Sequence, residues 1–74
     1  MVKQRTIREV LQMLEMYNEI LSPEEVCEVL LIGKNRLYKL LRENIIHGYR
    51  EGRNWKISKI AVIDYIKKNS GIKP

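Results

Sequence analysis

The chain has 74 residues, 45% hydrophobic and 31% charged, with a net charge of +5; that is enough apolar material for the economical core of one small domain, residues 1–74, and too much for a disordered chain. No apolar run exceeds four residues, as in Val29 to Ile32, which excludes a membrane-spanning helix, and the single cysteine, Cys27, excludes an internal disulfide framework or an all-cysteine metal site. The charge is divided unevenly, with three basic and six acidic residues in 1–28 against eleven and three in 29–74, so the longer, basic part is expected to seek a polyanion, nucleic acid first and an anionic membrane surface second.

The chain order begins with a helix. Thr6 stands three residues before Glu9, the pattern of a capping box. Ile7, Val10, Leu11, Leu14, Tyr17 and Leu21 recur at helical spacing, flanked by Met13 and Met16. A helix from about Thr6 to Asn18 is predicted, within an N-terminal segment 6–19. A helix this short is marginal alone, so its apolar face must pack on something. Ile20-Leu21 is read as a short strand, because the next residue starts a new helix. Ser22-Pro23-Glu24-Glu25 is the strongest local signal: Ser22 caps, Pro23 takes the first helical position and Glu25 closes the box. Val26, Val29 and Leu30 make the buried face of this second helix, with Cys27 beside it, and it ends near Leu31.

Ile32-Gly33 is a tight connection into a third helix, Lys34 to about Asn44. Its apolar positions are Leu37, Leu40 and Leu41; the other side carries Asn35, Tyr38, Lys39 and Arg42. Gly48 and Gly52 then end helical character. Trp55 and Ile57 alternate with Lys56 as in a half-buried strand, so a β-hairpin with a basic tip is predicted between Ile45 and Ile57. Ser58 caps a fourth helix whose Ile60, Val62, Ile63 and Ile66 face inward. Asn69-Ser70-Gly71 stops it, and residues 69–74 are a tail.

Two short helices joined by a tight turn, the second cationic on its outer side, describe a helix-turn-helix. The following hairpin makes it winged. The expected fold is therefore mainly α with a small β-hairpin: a winged helix-turn-helix over 20–68 plus an extra N-terminal helix. The B-DNA major groove admits one α-helix. Leu37, Leu40 and Leu41 would anchor that helix, while Lys34, Asn35, Arg36, Tyr38, Lys39 and Arg42 would face a duplex. Arg50, Arg53, Asn54 and Lys56 would reach the backbone or the adjacent minor groove from the wing.

Other chemistries find little support. Trp55 is expected in the core, Tyr38 against a phosphate, and Tyr49 either packed at the wing base or in contact with DNA. His47 has no partner at ligand spacing. Cys27 reads as an inert buried thiol. Glu24 and Glu25 are capping residues, and no glycine pattern cradles a nucleotide. No catalytic residue, metal or cofactor is expected. Met1-Val2-Lys3-Gln4-Arg5 does not read as a signal peptide, so a cytoplasmic location is expected.

From Leu21 to Lys67 the chain resembles the winged helix-turn-helix of the excisionase family, itself related to the DNA-binding domain of MerR-type regulators. The resemblance rests on Leu21-Ser22-Pro23-Glu24-Glu25-Val26, on Ile32-Gly33 and the helix Lys34 to Asn44, on Tyr49 to Ser58 and on Asp64-Tyr65-Ile66. Ile-Gly before the recognition helix is similar to excisionases of conjugative transposons. The resemblance implies double-stranded DNA as the partner, read by Asn35, Tyr38, Lys39 and Arg42, with Arg53 at the minor groove. It implies an architectural role in which several copies associate on DNA and help an integrase, a tyrosine recombinase, excise a mobile element. A small MerR-like transcriptional regulator using the same surface is the first alternative. A protein-interaction module that never touches DNA is the second. The family often has Gly just after the first helix of the pair, where this chain has Leu31; Gly33 is expected to supply the relief instead. The N-terminal helix lies outside the shared module and is expected either to close the core or to present Met13 and Met16, with Glu9, Glu15 and Glu19, to another protein.

Overall fold

The computed structural model describes residues 6–69. Along them run helix α1 (Ile7–Leu14), strand β1 (Ile20–Leu21), helix α2 (Pro23–Leu30), helix α3 (Lys34–Arg42), strands β2 (Gly48–Glu51) and β3 (Asn54–Ser58), and helix α4 (Lys59–Asn69). This is the mainly helical winged helix-turn-helix with an added N-terminal helix. The expected tail lies outside the described residues beyond Asn69, as does the Met1 to Arg5 segment.

Both capping boxes form. The Glu9 N–H donates to Thr6 Oγ1 at 3.2 Å and the Thr6 N–H to Glu9 Oε1 at 2.9 Å. The Ser22–Glu25 pair repeats this with 3.2 and 2.9 Å. Each box satisfies two donors that the first helical turn leaves without partners. Ser58 caps α4 by accepting from the Ala61 N–H at 3.1 Å.

α1 stops at Leu14, four residues short of the predicted Asn18. Its last turn tightens: the Met16 N–H donates to the Met13 carbonyl and the Tyr17 N–H to that of Leu14, both three residues back. The chain then straightens into β1, so Leu21 belongs to a strand and not to the helical stripe. α1 closes the core, with Val10 and Leu14 buried and Met13 packed against them; Met16 alone of the two methionines stays out, 85% exposed.

The sheet order is β1-β3-β2, antiparallel throughout. Leu21 and Gly48 both pair with Ile57, so the strand pair that carries the wing is also stitched to the segment leading into α2. Gly48 is required here. A Cβ at this position would lie 2.9 Å from Leu41 Cδ2 and 3.1 Å from the Lys56 carbonyl oxygen. The missing side chain lets the wing base lie against the inner side of α3. Gly52, at the tip, has φ +66°, which glycine adopts freely and other residues only at a cost.

Two expectations are corrected. The relief between α2 and α3 comes from Leu31 itself, which is left-handed at φ 59°, ψ 46°; Gly33 is extended at φ −81°. The Leu31 and Ile32 N–H groups both reach the Cys27 carbonyl, and closing the helix this way offsets the strain of a non-glycine residue there. In α4, Ile60 is 75% exposed and Ala61 is buried with Val62 and Ile66. The Lys59 N–H donates to the Glu19 carbonyl at 2.9 Å, and that anchor, with the Ser58 cap, rotates the helix so that residues 61 and 62 face the core.

Gly48→Ala is expected to destabilise the fold by roughly 1–3 kcal/mol through overpacking, and Gly52→Ala by about 1 kcal/mol through its φ. Gly33→Ala, with open space and ordinary φ, should be near neutral. Urea denaturation of the three variants checks this order.

Candidate nucleic-acid interface

α3 is two-sided. Leu37, Leu40 and Leu41 are buried, while Lys34, Asn35, Arg36, Lys39 and Arg42 are exposed. Positions 35, 39 and 42 fall on one stripe by helical geometry. Tyr38 is half-buried beside that stripe and packs against the core edge, leaving part of its ring outside. At the head of the helix Gly33 is the N-cap and provides no side-chain acceptor, so the first N–H groups of α3 are not closed off by the cap residue.

The wing has two faces, set by strand alternation. On one, Arg50 pairs with Trp55 across the strands, its guanidinium carbon 5.6 Å from the ring centroid, within reach of a cation–π attraction. On the other, Tyr49 pairs with Lys56. Trp55 is half-buried under Arg50 and not a full core residue as expected; the strand places its ring at the edge of the core. Tyr49 is 53% exposed, which removes the core-packing alternative for it. Arg53 and Asn54 are exposed at the tip, and Lys56 is half-buried.

Lys34 has a partner that sequence spacing did not reveal. Its Nζ lies 3.1 Å from Glu24 Oε2 across the α2–α3 turn. Glu24 is held below the usual carboxylate range, first by a hydrogen bond to its own backbone N–H and then by Lys34. Lys34 is held above its usual range, first by the hydrogen bond to Glu24 and then by that carboxylate's charge. The depressed Glu24 stays ionised until pH falls through its lowered pKa, and the raised Lys34 stays protonated until pH rises past its own. The pair is therefore fully ionised at neutral pH. Among the described residues, no carboxylate lies at ion-pair distance from Lys39, Arg42, Arg50, Arg53 or Lys56.

The remaining groups settle into structural places. His47 Nδ1 is 2.9 Å from Asn44 Oδ1, bracing the turn in which Asn44 is left-handed at φ 61°. Cys27 is half-buried, not fully buried, and burial pushes its thiol up, so it stays protonated. Asp64 pairs with Lys68 one helical turn on, at 3.2 Å. Among the described residues no group of three or more His, Cys, Asp or Glu side chains could hold a metal, and no helix is long and apolar enough to cross a membrane. The cross-sheet pairing of β1 and the Arg50–Trp55 stack also escaped the sequence; a two-residue strand and a cross-strand pair carry no periodicity of their own.

The family described as a helix-turn-helix domain matches residues 20–70, more than half of the chain. No curated protein and no solved structure matches it.

Because exposed cations face solvent here and the leucines do not, Leu37→Ala should lower stability by about 2–5 kcal/mol, whereas Lys39→Ala and Arg42→Ala should change it by less than about 0.5 kcal/mol. Thermal melts of the three variants compare the two faces directly.

Proposed function

The chain belongs to the helix-turn-helix domain family and is a small DNA-binding protein of that kind, and we propose that it reads double-stranded DNA with α3 in the major groove and the β2–β3 wing on the backbone or adjacent minor groove. One observation carries this reading: the leucine side of α3 is buried while Asn35, Lys39 and Arg42 stand exposed on the other. The groove is about 12 Å wide and accepts such a helix. Tyr38, with part of its ring outside, reaches a phosphate. Arg36 and Lys34 add charge at the helix head, and Arg53 and Asn54 extend the contact from the tip.

Lys39, Arg42, Arg50, Arg53 and Lys56 act chiefly on phosphates. Each neutralised phosphate contributes about −0.9 to the slope of log affinity against log salt. With about five engaged, a fourfold rise in salt weakens binding roughly 500-fold. Asn35 is the candidate base reader, since asparagine pairs bidentately with adenine.

The role we propose is excision. Copies bound side by side bend DNA and assist a tyrosine recombinase at the end of a mobile element. The support is the resemblance over Leu21 to Lys67, including Ile32-Gly33 ahead of the recognition helix. Footprinting on the ends of the element that carries the gene, with an excision assay beside the recombinase, tests it. Tandem protected sites and stimulated excision are expected; protection of a promoter operator alone would assign the same surface to transcriptional regulation.

Fluorescence anisotropy tests the interface itself. Arg53→Ala should weaken binding to every duplex and flatten the salt slope by about one unit. Asn35→Ala should lose roughly 1–3 kcal/mol of discrimination at one base pair. An unchanged slope removes the wing from the contact set, and an equal loss on random DNA removes Asn35 from base reading.

A further inference from the structure

The ion pair at the head of α3 has a consequence for binding, which rests on the DNA-binding reading above. We propose that Glu24 is an internal counter-ion for Lys34 that a phosphate must displace, and that it thereby restrains non-specific binding. Lys34 is the first residue of the recognition helix, where a cation reaches the backbone beside the groove. In the free protein its ammonium is held 3.1 Å from the Glu24 carboxylate.

The pair is accessible and exchangeable. The two side chains are 55% and 63% exposed, and an exposed ion pair contributes little to stability. Its geometry is nevertheless well defined, because the two backbones are fixed to each other. Ser22 and Glu25 box the start of α2, and Leu31 and Ile32 close its end onto the Cys27 carbonyl. The other side chains whose charge bears on Lys34 are Tyr38 and Cys27, and among the described residues Glu24 is the carboxylate at ion-pair distance from it.

The thermodynamic effect follows from what Lys34 exchanges. A lysine surrounded by salt ions gains affinity when phosphate binding releases a condensed counter-ion from DNA. Lys34 must first leave Glu24, and the freed carboxylate then faces a phosphate of the same charge. In a loosely held duplex nothing compensates for this, and Lys34 stays with Glu24. In a duplex seated by base contacts, proximity forces the exchange. Glu24 therefore lowers affinity in both cases, by the Lys34 contact withheld in the first and by the cost of the exchange in the second.

The test is a double-mutant cycle on the full chain, read by anisotropy against a random-sequence duplex, with circular dichroism to verify folding. Glu24→Gln keeps the shape of the side chain and removes its charge. It should raise affinity roughly 5- to 10-fold near 0.1 M salt and steepen the salt slope by about 0.9. Lys34→Ala should abolish the gain and the added slope when it is combined with Glu24→Gln. A gain that persists without Lys34 would show plain repulsion by Glu24 and overturn the proposal, as would the absence of any gain. Wild-type protein that fails to bind any duplex would overturn the DNA-binding reading itself, whereas binding with an additive cycle would overturn the counter-ion role alone.

Discussion

Everything at the surface of this protein depends on how the inner side of α3 is held. Leu37, Leu40 and Leu41 share a core with Val26 and Val29 of α2, Leu21 of β1, and Ile46 and Ile57 at the wing base. This nine-residue helix is thus held through a core shared with the other elements. A helix of this length would not persist in water by itself, so its outer residues have defined positions only because the inner ones are packed. The Gly48 backbone, pressed against Leu41 and the Lys56 carbonyl, transmits that grip to the wing. Helix and wing therefore share one packed base.

Much of this was legible in the sequence, for physical reasons. Helix starts were readable because Thr6–Glu9, Ser22–Glu25 and Ser58 satisfy local donors within three residues, and local chemistry is what a sequence displays. The leucine stripe of α3 was readable from periodicity, and the hairpin from Gly48 and Gly52, which do not suit a helix interior, and from the alternation of Trp55 and Ile57. What escaped depends on relations between distant residues. The β1–β3 pairing joins Ile20-Leu21 to Ile57-Ser58, and two residues have no measurable period. Ile60 looked inward because α4 is apolar on most sides, and its rotation follows from the Glu19–Lys59 backbone bond together with the Ser58 cap. The early end of α1 is a matter of tightened hydrogen bonds, which the Tyr17 and Leu21 spacing could not register.

At the candidate site, Lys34, Asn35, Arg36, Lys39 and Arg42 of α3 and Arg53 and Asn54 of the wing tip are exposed, whereas partnership did not follow from residue type. Lys34 and Lys39 look alike in the sequence, but only Lys34 meets a carboxylate. Arg50 and Arg53 look alike too, but Arg50 lies over Trp55 while Arg53 stands at the turn. The cations are thus unequal: one is neutralised, one is braced on an aromatic ring, and the others face solvent. A stacked guanidinium keeps its charge and loses little further freedom when it meets a phosphate, so Arg50 is preorganised in a way that Arg53 is not.

The same reasoning explains why the acidic part of the chain does not cancel the basic part. Glu9 and Glu25 turn back to close capping boxes, Glu28 meets the Tyr17 hydroxyl, and Glu24 reaches Lys34. These carboxylates are tied to α1, to α2 and to the head of α3. None of these contacts reaches the outer stripe of α3 or the tip of the wing. The screening length at physiological salt is about 8 Å, so acidic charge held elsewhere on the surface does little to the field over Lys39, Arg42 and Arg53. Net charge understates the attraction a duplex would meet at this face, because Glu9, Glu24, Glu25 and Glu28 are engaged away from it, and of the acids on its own elements neither Glu43 nor Glu51 forms an ion pair with its cations.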